Sequence, residues 1–170
     1  MNRGSVAVAL VLLLGAGTAL GFNEPDGFRG LRWGASEQEM RSSVSVSRAC
    51  QDIPVVERWR GHRSCSAVFH IGSVNVNATY AFRDDKFVRV GLRFAPKDFD
   101  RLAEIFVERY GSPTIKDSNA FVWEGAATVV SLHRHLGTSS TGYASITTQV
   151  ELREAKRLRD EQTKGDAKGL

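Results

Sequence analysis

An alternation of apolar and polar residues is the clearest pattern in the chain. Apolar side chains occupy every second position over residues 74–82, and the alternation resumes over residues 88–94. This period of two is typical of β-strands that bury one face. A three-residue loop between the two runs keeps one face of the hairpin apolar, whereas a two-residue loop opposes apolar to polar residues. The three-residue loop gives these pairs: Phe82 with Val88, Tyr80 with Val90, Ala78 with Leu92 and Val76 with Phe94.

Two other segments have the spacing of amphipathic helices, in which apolar residues recur three and four positions apart. In the first, Ser36 and Glu39 form a Ser-x-x-Glu capping box, which predicts a short helix over residues 36–45. The second begins near Pro96, which suits a first helical turn, and Gly111 ends it. Five apolar residues mark the buried face of the second helix: Phe99, Leu102, Ala103, Phe106 and Tyr110.

A strand is predicted over residues 68–71, before the hairpin, and three further strands follow the second helix, over residues 120–124, 128–136 and 143–152. The order of helix, strands, helix and strands lacks the regular alternation of single strands and helices that builds a parallel sheet. We therefore predict an α+β fold in which an antiparallel sheet of five or six strands carries two helices on one face. The two halves would form a loose repeat of one helix and a β-meander.

The first 21 residues have the layout of a secretory signal peptide. Arg3 gives a positive start, residues 6–14 are apolar, and the small residues Ala19 and Gly21 suit a signal peptidase. The apolar run is too short to span a bilayer, which needs about 20 apolar residues. We predict cleavage after Gly21 and a periplasmic or secreted protein without a membrane span.

Residues 22–152 carry all the predicted elements and suit a single α+β domain. Residues 153–170 form a charged tail. Oppositely charged residues four positions apart would support a helix in this tail, whereas its polar composition also fits partial disorder. The sequence leaves both alternatives open.

Both cysteines, Cys50 and Cys65, follow the predicted signal peptide. An even number of cysteines in an exported protein favours a disulfide bond. The bond would close a loop of about 15 residues and stabilise the fold by about 3 kcal/mol. Neither cysteine lies at the predicted cleavage site, so we expect no lipid anchor there.

The charged residues of the chain indicate which kinds of partner it can bind. The chain has 23 Lys and Arg against 19 Asp and Glu, and only six of the basic residues are lysine. Arginine binds carboxylates and phosphates through a planar contact with two parallel hydrogen bonds. Nucleic-acid binding would require a denser positive charge and a cytoplasmic location, so we do not expect a nucleic-acid partner.

The segment between the cysteines contains the first candidate binding site. Five residues suited to an interface lie within six consecutive positions: Arg58, Trp59, Arg60, His62 and Arg63. Trp and Arg are favoured in interfaces, and Arg pairs with anionic groups. We predict that this loop, together with Asn77, Arg89 and Arg93 on the polar face of the hairpin, binds a protein or an anionic component of the cell envelope. Alternatively, Trp59 packs inward and the arginines are solvated.

Two histidines suggest a different chemistry. His133 and His135 lie two positions apart in a predicted strand, beside Ser131, and two such imidazoles can share a metal ion. No third ligand is evident, and loose surface histidines are the common alternative. The sequence contains no Gly-x-Ser-x-Gly motif and no glycine-rich phosphate loop. We predict no catalytic residue and no cofactor.

Short motifs in both halves resemble those of small exported bacterial proteins. They are Gly30-Leu-Arg-Trp33-Gly34-Ala-Ser36-Glu-Gln-Glu39, Arg109-Tyr110-Gly111-Ser-Pro113 and the strand that contains Trp123. The units of one helix and a meander are similar in outline to the folds of the β-lactamase-inhibitor proteins and the outer-membrane-assembly lipoproteins. This resemblance implies a binding module without catalysis, and it assigns no functional residue.

The sequence therefore favours a non-enzymatic periplasmic or secreted protein that binds another macromolecule. One alternative is a small hydrolase or metal-dependent enzyme that uses His133 and His135. Another is an inhibitor of a secreted enzyme, which is a special case of binding. A pocket in which His, Ser and acidic groups converge would favour the enzyme, whereas a flat sheet face with an exposed Trp59 would favour binding.

Overall fold

The computed structural model describes residues 21–52, 62–135 and 140–168. The elements follow in this order: β1 (Gly27–Phe28), β2 (Leu31–Arg32), α1 (Glu37–Ser43), β3 (Arg48–Asp52), β4 (His62–Ile71), β5 (Val74–Arg83), β6 (Lys86–Phe94), α2 (Phe99–Tyr110), β7 (Ile115–Lys116), β8 (Ala120–Glu124), β9 (Thr128–His133), β10 (Gly142–Thr148) and α3 (Gln149–Ala167). Within the described residues, no helix has the length and hydropathy needed to cross a membrane. The predicted signal peptide, apart from Gly21, lies outside the described residues.

Eight antiparallel strands form the main sheet, in the order β3-β4-β5-β6-β10-β9-β8-β7. The sheet consists of two four-stranded meanders whose last strands, β6 and β10, pair at its centre. One helix precedes each meander, and β1 and β2 form a separate two-stranded sheet. The predicted α+β class and antiparallel arrangement are confirmed. The predicted count of five or six strands is wrong, since the main sheet has eight strands; α1 and α2 are the two predicted helices, and α3 includes most of the tail, for which the sequence left a helix open.

The two strands that the sequence did not predict lie at the edges of the main sheet. β7 has only two residues, too few to show a period of two. β3 has five residues, but its pairing with β4 is irregular between Arg48 and Gln51, which interrupts the alternation. Short or irregular edge strands are a common way to prevent pairing between sheets of different molecules.

The hairpin of β5 and β6 keeps the predicted register over most of its length. Tyr80 pairs with Val90, and Ala78 pairs with Leu92. The predicted three-residue loop is wrong, because Arg83 pairs with Lys86 and leaves only two residues in the turn. A compensating irregularity in β6 therefore has to restore the apolar face.

The turn and the irregularity are both visible in the backbone. Asp84 and Asp85 have φ angles of 50° and 57°, the positive values of a type I′ turn, whose twist matches that of the flanking strands. The register shifts next to Phe82, so that this residue pairs with Phe87 and not with Val88. Phe87 is fully buried as a result. A bulge and a two-residue turn together give the alternation that a three-residue loop would have given.

The first two helices form as their capping and periodicity predict. Both hydrogen bonds of the Ser36–Glu39 capping box are present, and α1 ends at Ser43, two residues before the predicted end. A one-turn 3-10 helix over Pro96–Asp98 leads into α2, and Gly111 follows its last residue. All five apolar residues predicted for the buried face of α2 are buried.

The core lies between one face of the main sheet and a layer made by α1, α2 and the β1–β2 hairpin. It forms one cluster that draws on both meanders. Trp123 is the largest fully buried side chain, and its Nε1 donates a hydrogen bond to the carbonyl oxygen of Gly111 at 2.7 Å. Cys50 and Cys65 form the predicted disulfide, which links β3 to β4.

The N-terminal segment is fixed to the second meander. The carboxylate of Glu24 accepts hydrogen bonds from the backbone N–H groups of Ala126, Ala127 (2.8 Å) and Thr128 (3.2 Å), at the turn between β8 and β9. The N–H of Asn23 donates to the carbonyl oxygen of Tyr110 at 3.0 Å. The first described residues therefore cross from α2 to the β8–β9 turn.

β10 ends earlier than predicted because Thr148 caps α3. The hydroxyl oxygen of Thr148 accepts a hydrogen bond from the N–H of Glu151 at 3.2 Å. The predicted strand over residues 143–152 is therefore wrong beyond Thr148. α3 extends to Ala167 and includes most of the charged tail.

Candidate functional site

Polar side chains collect on the side of the main sheet opposite α1 and α2. The period of two that buries one face turns every other residue of each strand towards this side. We call it the open face, and it includes these partly or fully exposed residues: Ser64, Ser66, Val68, His70, Asn75, Asn77, Thr79, Arg83, Arg89, Arg93, Tyr143, Ser145, Ser131 and His133. The structure therefore places the predicted polar residues Asn77, Arg89 and Arg93 on one face.

The charges of the open face are strongly biased. Arg83, Arg89 and Arg93 project from β5 and β6, and the charge of Arg83 is balanced by Glu151 of α3. Among the outward-facing positions of β4, β5, β6 and β8 to β10, Glu124 at the end of β8 is the one acidic residue. Exposed arginines such as Arg93 attract and orient a partner of the opposite charge.

Tyr143 lies over Gly91 at the centre of the open face. A Cβ atom at position 91 would come within 2.7 Å of the Tyr143 hydroxyl oxygen, so the ring uses space that only glycine leaves free. The Tyr143 hydroxyl accepts a hydrogen bond from Nη2 of Arg89 at 2.5 Å, and this guanidinium lies 6.0 Å from the ring centroid. Arg93 is the residue directly opposite Tyr143 on β6. We call Arg89, Gly91, Arg93 and Tyr143 the central cluster.

A groove with both polar and apolar walls adjoins the central cluster. It has a volume of about 440 Å³, and its side chains include Ser47, Ser66, Asn77, Thr79 and Arg93. Arg93 is exposed and, within the part of the chain that the structure describes, makes no hydrogen bond or ion pair. Its guanidinium is therefore available to an anionic group of a partner.

His62 belongs to a buried ionic cluster and not to an accessible loop. Its Nε2 lies 2.9 Å from Oε1 of Glu151, and Nε of Arg83 donates to Oε2 of Glu151 at 2.8 Å. Burial by itself would raise the pKa of Glu151, but the hydrogen bonds from His62 and Arg83 outweigh it and hold this pKa below its usual value. Glu151, His62 and Arg83 thereby connect α3 to β4 and β5.

Arg63 is also engaged within the fold. Its Nε donates to Glu37 at 2.9 Å and its Nη1 to Asp52 at 3.0 Å, which ties β4 to α1 and β3. Hydrogen bonds from Arg41 and Arg63 hold the pKa of Glu37 below its usual value. The other predicted residues of this loop, Arg58, Trp59 and Arg60, lie outside the described residues.

The predicted histidines occupy different surroundings. His133 lies half-exposed on the open face, whereas His135 follows the end of β9 and is exposed. Over the described ranges, no carboxylate lies within hydrogen-bonding distance of either residue, and neither belongs to a group of three possible metal ligands. The one such group found there is Glu37 with Cys50 and Cys65, whose sulfur atoms are bonded to each other and are not free to coordinate.

Tyr143 and Gly91 are candidate functional residues that the sequence did not predict. A glycine inside a strand often marks the close approach of another group, and this was the available signal. The identity of that group depends on the pairing of β6 with β10, strands that are separated in sequence by α2 and a whole meander. Local patterns contain no information about such a pairing.

Fold and site together define an α+β protein whose large antiparallel sheet has one face covered by α1 and α2 and an opposite face that α3 contacts at His62 and Arg83 and that carries Arg89 and Arg93. The chain belongs to a protein family described as "Uncharacterised protein", whose sequence model matches residues 28–134. The matched segment includes Arg89, Gly91 and Arg93. Comparisons with curated proteins and with solved structures give no match.

Proposed function

We propose that the chain is a non-enzymatic binding protein and that its open face binds another protein. The observation that carries this proposal is the central cluster, in which Tyr143, Arg89 and Arg93 lie together at the middle of the face. Tyr and Arg are among the residue types that contribute most to binding energy, and they do so near the centre of an interface. Small polar side chains such as Ser66 and Thr79 surround the cluster, as in the rim of an interface.

We further propose that the partner presents an acidic surface to this face. On the open face, Glu151 of α3 pairs with Arg83 and Glu124 lies at the end of β8, whereas Arg93 is exposed and has no carboxylate partner among the described residues. An arginine on such a face can form two parallel hydrogen bonds with one carboxylate. If the partner is a secreted enzyme, the protein is an inhibitor of that enzyme. The open face would then be the inhibitory surface.

A periplasmic or secreted location is part of the proposal. Disulfides persist in oxidising compartments and are rare in the cytosol. The bond between Cys50 and Cys65 therefore supports export, in agreement with the signal peptide that the sequence predicts.

Affinity purification with matched variants tests the proposed function. We expect the amount of partner recovered with the unmodified chain to fall at least tenfold with Arg93→Glu. The substitution replaces a central arginine with a negative charge, which repels an acidic partner. Arg101→Glu is the control, since Arg101 lies on α2 on the opposite side and pairs only with the exposed Glu104. Equal recovery of all partners with both variants would contradict the proposal.

Gly91→Ala tests the central cluster without removing any charge or ring. The new methyl group would displace the Tyr143 hydroxyl, which lies at the far end of a side chain that can rotate away. We expect weaker binding of the enriched partner and an unchanged unfolding midpoint in urea. An unchanged affinity would show that the position of Tyr143 does not matter for binding.

A further inference from the structure

A second cavity lies on the helical side of the molecule, opposite the open face. It forms where the β1–β2 hairpin, the turn between β4 and β5, and α2 meet, and its volume is about 280 Å³. Its apolar wall consists of Phe28, Ile71, Ile105, Phe106 and Tyr110. Apolar walls with a few polar groups at the entrance are typical of sites for small ligands.

Two arginines lie at this cavity without a carboxylate partner. Arg29 and Arg109 both line it and are both exposed. Among the described residues, neither guanidinium lies within ion-pair distance of a carboxylate, and no acidic side chain lines the cavity. The Arg29 guanidinium lies 4.2 Å from the centroid of the Phe69 ring, and that of Arg109 lies 5.8 Å from the centroid of Tyr110. Stacking on these rings limits where each cation can move.

The backbone conformation at Arg29 fixes the position of this arginine beside the cavity. Arg29 has a φ of 51°, in the left-handed region that favours glycine, and Gly30 follows it with a φ of 85°. Phe28 pairs with Leu31, so Arg29 and Gly30 are the two residues of a type I′ turn, like Asp84 and Asp85 in the β5–β6 hairpin. This turn holds Arg29 on the hairpin loop that borders the cavity.

We propose that this cavity binds a small carboxylate with a short apolar tail. Arg29 and Arg109 bind the carboxylate through charge-assisted hydrogen bonds, and the tail contacts Phe28, Ile105 and Phe106. At about 30 Å³ for each group of the size of water, the cavity holds roughly nine such groups. A straight chain of about eight carbons therefore fits this volume, and the site is separate from the proposed protein interface.

Calorimetric titration of the full chain with octanoate tests this site. We expect saturable binding at one site, with at least tenfold weaker binding of acetate, which has no tail, and of octylammonium, which has the opposite charge. Equal binding of octanoate and octylammonium would overturn the proposal, because it would show that apolar contact alone is responsible.

Two arginine variants locate the bound carboxylate. Arg29→Gly removes the guanidinium and also relieves the positive φ, so the hairpin keeps its shape. We expect Arg29→Gly and Arg109→Gln each to weaken octanoate binding at least tenfold, whereas the control Arg101→Gln, one α2 residue outside the cavity, leaves it unchanged. Unchanged affinity in both cavity variants would overturn the proposal. These variants leave the open face intact, so the outcome is independent of the protein-binding proposal.

Discussion

At the residue scale, Glu151 has an unusual position for a carboxylate. Only 2 % of the residue is exposed, and its side chain contacts both His62 and Arg83. A buried carboxylate is costly without partners, and a buried arginine that loses its carboxylate is costly in turn. Glu151 therefore stabilises the attachment of α3 as one member of a group whose members depend on each other.

Glu151→Gln should lower the free energy of unfolding by about 3 kcal/mol, since Arg83 and His62 would lose their anionic partner. Urea unfolding at neutral pH measures this change. The control is Glu161→Gln, which removes an exposed ion pair with Arg157 on the same helix and should change stability by less than about 0.5 kcal/mol. Similar values for both variants would contradict the role assigned to Glu151.

The same two variants test how the free energy of unfolding depends on pH. Because the pKa of Glu151 is below 4.5 in the folded protein, the unfolded chain takes up its proton first as the pH falls. Glu151 therefore contributes its full stabilisation above about pH 4.5 and loses it as the pH falls through the folded pKa. Below pH 4.5 we expect the stability of Glu161→Gln to fall more steeply with pH than that of Glu151→Gln.

At the scale of the elements, sequence patterns within a few residues predict helices and strands well. They do not predict which strands pair when those strands are far apart in the chain. Ser36 and Glu39 predict the start of α1, and the spacing of apolar residues predicts the buried face of α2. Thr148 and Glu151 form a similar capping signal at the start of α3. This signal did not predict the start of α3, because the apolar alternation of β10 continues past Thr148 with Val150 and Leu152.

The candidate site likewise contains residues that local patterns predict and one residue that only a distant strand pairing adds. Asn77, Arg89 and Arg93 share a face because the period of two and the hairpin register fix their orientation. Tyr143 joins them only through the pairing of β6 with β10, which no local pattern specifies. The predicted pairing of Phe82 with Val88 is also wrong, because a bulge and a two-residue turn produce the same sequence pattern as a three-residue loop.

α3 gives a prediction at this scale. All its residues after Leu158 are exposed, up to the last described residue, Lys168. Removal of residues 159–170 should therefore change the free energy of unfolding by less than about 0.5 kcal/mol. Removal of residues 149–170 should lower it by several times as much, since Glu151 is lost. Thermal unfolding followed by circular dichroism compares the two, and equal effects would contradict the attachment of α3 through its first turns.

At the scale of the whole molecule, the two helix-plus-meander units share one core. β6 and β10 place Val90 and Leu92 of the first unit beside Ile146 and Ala144 of the second, and all four side chains are fully buried or nearly so. A continuous core of this kind couples the stability of both units. We therefore expect the units to unfold together and not one after the other.

Trp33 and Trp123 report separately on the two units. Trp33 stacks on Phe87 of β6, with ring centroids 4.7 Å apart, whereas Trp123 is fully buried in the second unit. In variants that keep only one of these tryptophans, with Trp59 replaced by Phe, the fluorescence midpoint in urea should equal the circular-dichroism midpoint of the same variant. A fluorescence transition that precedes the other signal in either variant would show that the units unfold independently.

The Glu24 contacts have a consequence for the order in which the chain becomes complete. Glu24 leaves the ribosome 102 to 104 residues before the three amide groups that it binds at the β8–β9 turn. Closing so long a loop costs entropy and is slow compared with forming a hairpin. The segment around Glu24 therefore cannot take its final place until the β8–β9 turn of the second meander has been made.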